Sequence, residues 1–247
     1  MSISNDLSKE RIEQLKIFQK KYNLKFKNIS LLNQAFCHTS YTQENSLEEN
    51  LSYERLEFLG DAVLKLSVSE ILYCEYPNSQ EGRLTKIRGE LVSDKNIFKF
   101  AQKLGFEELI ILGKNERKHG GAKKESILAC AFEAFLGAIF LEYKTKGYQK
   151  ALEFLKENFL NEILEMEKIC DYLNPKSILQ EYTQGLDGNR PEYILIKEEG
   201  LAHDKTFYIE ARYNNKTIGF GNAKSIKSAQ QEAALDAVKK LKILKEN

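Results

Sequence analysis

Neither sign of charge dominates this chain: 37 Lys and Arg stand against 36 Asp and Glu, a net +1, so bulk electrostatics announces no nucleic-acid or membrane partner. The four cysteines, Cys37, Cys74, Cys130 and Cys170, form no C-x-x-C pair, which argues against a disulfide scaffold and a zinc site and predicts reduced thiols. No apolar run approaches the roughly 18 to 20 residues needed to span a bilayer. The opening MSISNDLSKER lacks the apolar stretch of a signal peptide, so a cytoplasmic location and no membrane partner are expected. Proline is scarce too, and Pro77 is the one proline between Arg11 and Glu167.

What is present is helical periodicity. From Arg11 to about Glu167 apolar residues recur every three to four positions, which predicts an all-helical domain with breaks at 45–50, 76–82 and 113–122. A long amphipathic stretch, Tyr148 to Ile169, leads to a linker near 170–174, where Asn174-Pro175 signals a new helix start. KSILQEYTQG reads as a short helix ended by Gly185. EYILIKEEG and KTFYIEARYNNKTIGFG have strand composition, with Asn214-Asn215 as a turn, and alanine-rich SIKSAQQEAALDAVKKLK is helical. The order helix, three strands, helix makes a small α+β module. Splitting the chain after Asp171 gives 25 basic against 26 acidic residues in the first part and 12 against 10 in the second, so the module is mildly basic.

Two apolar helices carry acids. YERLEFLGDAVL places Glu54, Glu57 and Asp61 within about 60° of one another on one helix face. SILACAFEAFLGAIF holds a single acid, Glu133. Acids in such surroundings need a charge partner, and a metal ion is one.

ERLEFLGDAV followed by GG-x-K-K-ESILA-x-AFEAFLGAIFLE resembles the nuclease domain of bacterial ribonuclease III, and the stretch from about Asn174 to Leu241 resembles the double-stranded RNA-binding domain that follows it in that family. The resemblance implies an all-α nuclease domain over 10–146, with a trailing helix to about 168, and an α-β-β-β-α RNA-binding domain over 173–243. It implies an endoribonuclease that hydrolyses double-stranded RNA to 5′-phosphate and 3′-hydroxyl ends, in ribosomal and messenger RNA processing. Asp61 and Glu133 match the catalytic acids, and Glu57 and Glu133 match ligands of Mg2+, for which Mn2+ is a substitute. Clustered carboxylates suit that hard ion, which can activate water and stabilise the leaving oxygen. Glu81 matches a further acid of the family's active-site valley, though a loop glutamate is more often just solvated.

The resemblance also implies a homodimer, with Phe58 packing into the partner; a buried core phenylalanine fits the pattern equally. His38 and His119 read as hydrogen-bonding and solvated groups. In the second domain Ser177, Gln180, Glu181 and Gln184 share a helix face and match the family's minor-groove contacts. His203 falls in the loop of a second contact, and Lys224, Ser225 and Lys227 open the last helix against phosphates. Ile226 stands where the family commonly has a second basic residue, which predicts weaker phosphate binding.

One departure is larger. The second motif usually reads A-D-x-x-E, and here Cys130 replaces the aspartate. A thiol is a soft ligand, poorly matched to magnesium and open to protonation at neutral pH. Weakened metal affinity, loss of cleavage with retained RNA binding, and recruitment of manganese are three outcomes the sequence leaves open. The alternative function is accordingly a catalytically impaired double-stranded RNA-binding protein.

Overall fold

The computed structural model describes residues 7–173, 175–201 and 204–243, without the side chains of 167–173. The chain divides into two compact units, residues up to Met166 and residues from Glu167 onward.

The first unit is helical. In chain order its helices are α1 (Lys9–Lys21), α2 (Ile29–Gln34), α3 (Thr39–Glu44), α4 (Glu54–Glu75), α5 (Glu81–Leu91), α6 (Asp94–Leu104), α7 (Phe106–Leu109), α8 (Lys114–Lys118), α9 (Glu125–Glu142) and α10 (Gly147–Leu173), the last of which runs on past Met166. Local chemistry sets several starts: Ser8 and Asn28 side chains accept the Arg11 and Leu31 backbone N–H groups at 3.1 and 3.2 Å. The stretch 113–122 is not a plain loop as its composition suggested. Lys, Glu and Arg are good helix formers and wind KNERK into α8, and residues Gly121–Lys123 make a 3-10 turn after Gly120, whose φ is +76°. Likewise the break at 76–82 closes early: helix resumes at Glu81, so this residue lies in the first turn of α5 and not in a loop.

The core of this unit is α9, buried on nearly every side and packed along α4 and α6. Fully buried Phe132 and Phe135 of α9 meet Phe36, Phe106, Phe154 and Phe159 from neighbouring segments in edge-on and tilted ring contacts. Where α4 meets α9, glycine faces glycine. A Cβ on Gly60 would sit 1.7 Å from the Glu133 carbonyl oxygen, and one on Gly137 would sit 2.3 Å from the Leu56 oxygen. The helices therefore touch backbone to backbone.

In the second unit α11 (Pro175–Asp187) precedes a sheet of β1 (Glu192–Glu199), β2 (Thr206–Tyr213) and β3 (Lys216–Ala223), paired antiparallel in that order, and α12 (Ile226–Lys240) closes it. The helix does not end at Gly185. It continues to Asp187 and stops at Gly188, which supplies the left-handed φ of +80°. Asn214 and Asn215, at φ 49° and 61°, make the β2–β3 turn in the conformation that asparagine tolerates. Pairing of Ile209 with Gly221 and Ala211 with Gly219 turns small residues toward α12. The buried Ala229, Ala233, Ala234 and Ala237 then lie directly on β3, with Leu179 from α11 and Val238 completing the core. The sequence pattern GFG against A-x-x-x-A-A is thus a packing code for close helix–sheet approach.

Candidate active site

Because the Gly60 contact is with the Glu133 backbone, the fold brings that acid to the stretch of α4 that lies between Glu57 and Asp61. Glu54, Glu57, Asp61 and Glu133 line one open pocket, together with Phe58, Lys65, Val92 and Asp94. Three of these, Asp94, Lys65 and Val92, were not singled out in the sequence. Glu81 is not among the lining residues, and its carboxylate accepts the Thr85 hydroxyl at 2.8 Å.

The electrostatics of the pocket follow from crowding. Burial, then the charges of Asp61, Glu57 and Asp94, pushes Glu133 up to about 8, against a smaller opposing pull from Lys65. Glu57 is raised as well, first by burial. Asp61 escapes into an ion pair with Lys65, Nζ to Oδ2 at 2.7 Å. Among the described residues no three acidic, histidine or cysteine side chains already converge on one ion-sized point. Like charges hold each other apart and Lys65 draws Asp61 aside, so the oxygens must close in for a cation to bind. The donor set itself, carboxylates alone at the open side, fits a hard divalent ion.

Cys130 lies about one helical turn before Glu133 on α9, near Glu57 but not among the residues that line the pocket. Burial and the neighbouring Glu57, Glu133 and Asp94 charges push its thiol up to about 12, so it is a neutral S–H at physiological pH. The thiol is a polar neighbour of the Glu57 carboxylate and offsets part of its upward shift, and Tyr53, a side chain only 4% exposed, is another titratable neighbour of the sulfur. Tyr53 is one helical turn before Glu57, whose N–H it accepts at 2.9 Å. A neutral thiol beside Glu57 thus stands where the second motif usually carries a charged aspartate.

His38 caps α3, its Nδ1 accepting the Ser40 N–H at 3.1 Å, and burial lowers its pKa. His119 is exposed, with Nδ1 2.8 Å from the Asn115 carbonyl. Neither lines the acid pocket. Phe58 is 84% exposed, which excludes the buried-core alternative. Phe58 lines one side of a largely apolar cavity with Leu31, Leu56, Leu59 and Leu141, and Gln34, Glu54 and Arg55 complete its lining.

In the second unit Ser177, Gln180, Glu181 and Gln184 lie on the face of α11 opposite buried Leu179 and Thr183, with Gln180 donating to Gln184 at 3.2 Å. His203 lies outside the described residues. Ser225 is the N-cap of α12 and accepts the Ser228 N–H at 3.1 Å, which occupies its oxygen structurally. Lys224 pairs with Asp204 at 2.6 Å, both largely exposed. Lys227 is exposed and close enough to Lys176 to lower its pKa after burial does. Lys176, bonded to Gln230 at 2.7 Å and set over the Tyr193 ring, adds a cation to this end that sequence reading passed over.

An acid-lined pocket between helices in one unit and a polar, cation-edged α+β module in the other define a class, the enzymes that cut RNA duplexes. Residues 28–163 match the family model described as Ribonuclease-III-like, and residues 175–241 match the double-stranded RNA binding motif. Ribonuclease 3 of Bacillus cereus is 42% identical over 232 residues, covering 93% of this chain and 92% of its own, and that of Bacillus anthracis gives the same figures. The nuclease domain of ribonuclease III from Campylobacter jejuni superposes with a TM-score of 0.52 at 36% identity, over 59% of this chain and 98% of that one. The chain belongs to the ribonuclease III family and is an endoribonuclease of double-stranded RNA. Enzymes of this family depend on a metal ion. No helix among the described residues is long and apolar enough to cross a membrane.

Proposed function

We propose that this enzyme cleaves double-stranded RNA with Mg2+, or Mn2+ in its place, held by Glu57 and Glu133, with Asp61 and Glu133 as the catalytic acids. The observation that carries this reading is the meeting of these three carboxylates in one open pocket at the Gly60–Glu133 contact. A divalent ion bound there supplies a Lewis acid for the attacking water and the leaving 3′-oxygen, giving 5′-phosphate and 3′-hydroxyl ends. The chain's own groups set its terms: Glu133 holds a proton near neutrality and releases it when a cation arrives, and Asp61 must leave Lys65. The neutral thiol of Cys130 is a polar neighbour of Glu57 but adds no charge.

The same reading places the nuclease domain at 10–146, its trailing helix to about 168 and the RNA-binding domain at 173–243. It makes the enzyme a cytoplasmic processor of ribosomal and messenger RNA precursors. Ser177, Gln180, Glu181, Gln184, His203, Lys224, Ser225 and Lys227 face the duplex. Two copies pair through the α4 surface, where exposed Phe58 lines one side of a largely apolar cavity, knob and socket on one self-complementary patch. The Campylobacter jejuni nuclease domain is itself described as having flexibility in a region involved in dimer formation.

A second reading, a duplex-binding protein with impaired cleavage, is favoured by one observation, the protonated thiol where the family has a carboxylate. Cleavage of a long labelled duplex by the wild-type protein and by Cys130→Asp across Mg2+ and Mn2+ titrations decides between them. Cutting by both, with a lower metal requirement for the variant, supports the enzyme; cutting by the variant alone supports the binding protein.

A further inference from the structure

The acid pocket contains a carboxylate that the paired motifs do not account for. Asp94 is the first residue of α6, and α6 packs against α9, the helix that carries Cys130 and Glu133. This delivers the Asp94 side chain to the pocket lined by Glu57, Asp61 and Glu133. We propose that Asp94 is a positioning residue of the cation site, supplying the negative charge that Cys130 does not. The inference rests on the metal-dependent reading above.

Three observations support it. First, Asp94 lines the same pocket as the proposed ligands, so an ion there, or a water bound to it, faces its carboxylate. Second, its charge is felt at three separate groups of the site, raising Glu57, Cys130 and Glu133 alike. Third, among the described residues no hydrogen bond or ion pair holds the Asp94 carboxylate, whereas Asp61 is engaged by Lys65. An unengaged acid at the rim is free to turn inward when a cation arrives. Outer-shell carboxylates of this kind fix the orientation of bound water and tune affinity without touching the ion.

The competing account is that Asp94 only complements the N-terminal dipole of α6. Asp94→Asn separates the two, since it keeps a side chain suited to a helix start and removes the charge. The experiment is Mn2+ binding by calorimetry to the full chain without RNA, for wild type, D94N, D94E, C130D and C130D/D94N, with thermal melting of each. D94N should weaken Mn2+ binding by about 10- to 100-fold in the wild-type background. D94E should restore most of it, and C130D should make the D94N loss several-fold smaller. Unchanged Mn2+ affinity in D94N overturns the proposal, whether or not the melting temperature falls. An equal D94N loss in the wild-type and C130D backgrounds also overturns it, because Asp94 is then not standing in for the missing charge. If neither wild type nor C130D binds Mn2+, the metal-site reading itself fails; if wild type binds and D94N binds equally well, only this inference fails.

Discussion

Gly60→Ala adds one methyl group at the α4–α9 contact, and its effect can be worked from three distances. The new Cβ would lie 1.7 Å from the Glu133 carbonyl oxygen, 2.5 Å from its carbon and 2.9 Å from the Gly137 nitrogen. Non-bonded carbon needs roughly 3.2 to 3.5 Å, so α9 must retreat by about 1.5 Å. Every obstacle is backbone, and no side chain can rotate away. Overpacking of a core costs about 1–3 kcal/mol where side chains can adjust, so the upper end of that range is expected here. About 3 kcal/mol corresponds to a melting temperature lower by roughly 6–12 °C for a chain of this size. The same shift carries Glu133 away from Glu57 and Asp61, so cleavage should fall even at temperatures where the variant is folded. Gly89→Ala is the control: it lies within α5 with nothing within 4 Å of the new Cβ. That change should raise stability by about 0.5–1 kcal/mol through helix propensity alone. Calorimetric melting and duplex cleavage of the two variants test the argument. Equal melting temperatures for Gly60→Ala and wild type would refute the backbone contact as the element that sets the site.

Proton linkage offers a test by pH. With Glu133 raised to about 8 from the ordinary 4.5, the cation-free protein loses stability as pH rises from near 4.5 to about 8 and then levels off. Cation binding runs the other way, releasing a proton below about pH 8, so affinity should climb by up to tenfold per unit and flatten above. Calorimetry in buffers of different ionisation enthalpy would reject this by finding no proton released near pH 6.5. Lys65→Ala frees Asp61 from its ion pair and removes a positive charge from the pocket, so half-saturation should shift to lower metal concentration; a shift upward would contradict that pairing. Tyr193→Phe removes a buried hydroxyl that has no hydrogen-bond partner among the described residues, so urea denaturation of the full chain should show unchanged or higher stability of the second unit, by up to about 1–3 kcal/mol. A clear loss of stability would reveal a partner for that oxygen. Lys227→Ala should weaken duplex binding equally across RNA sequences and reduce its salt dependence by about one contact, as a gel shift at several salt concentrations would report. An unaltered salt slope would remove Lys227 from the phosphate surface.

The helices were legible because burial dictates their period: α6, for one, buries Ile97, Phe100, Ala101 and Leu104 at intervals of three and four residues. The strands were legible through turn chemistry at Asn214-Asn215 and composition on either side. Failures came where a glycine or a loop-like run was read locally. Gly185 lacks the positive φ that ends a helix, and Gly188 has it. GKNERKHGGA has loop composition at its ends, yet its middle is a charged helical turn. In each case composition gave the possible break, and backbone dihedrals decided where it fell.

The acids divide along the same line. Glu57 and Asp61 could be grouped from helical spacing alone, because both lie on one element. Glu133 needed the resemblance to join them, since nothing in its own helix says which neighbour it meets. Asp94 had neither kind of signal: it opens an ordinary amphipathic helix, where an acid is expected for the dipole. Only the packing of α6 on α9 places it beside Cys130 and Glu133. Tyr53 was hidden for the opposite reason, as an apolar-looking residue that neighbours the Cys130 sulfur. A motif therefore identifies the groups that act from one helix, while the compensation for a changed motif residue lies on other elements. For this chain the loss at Cys130 is to be judged from what surrounds it, the Glu57 carboxylate beside the thiol and an Asp94 carboxylate that no hydrogen bond or ion pair holds among the described residues.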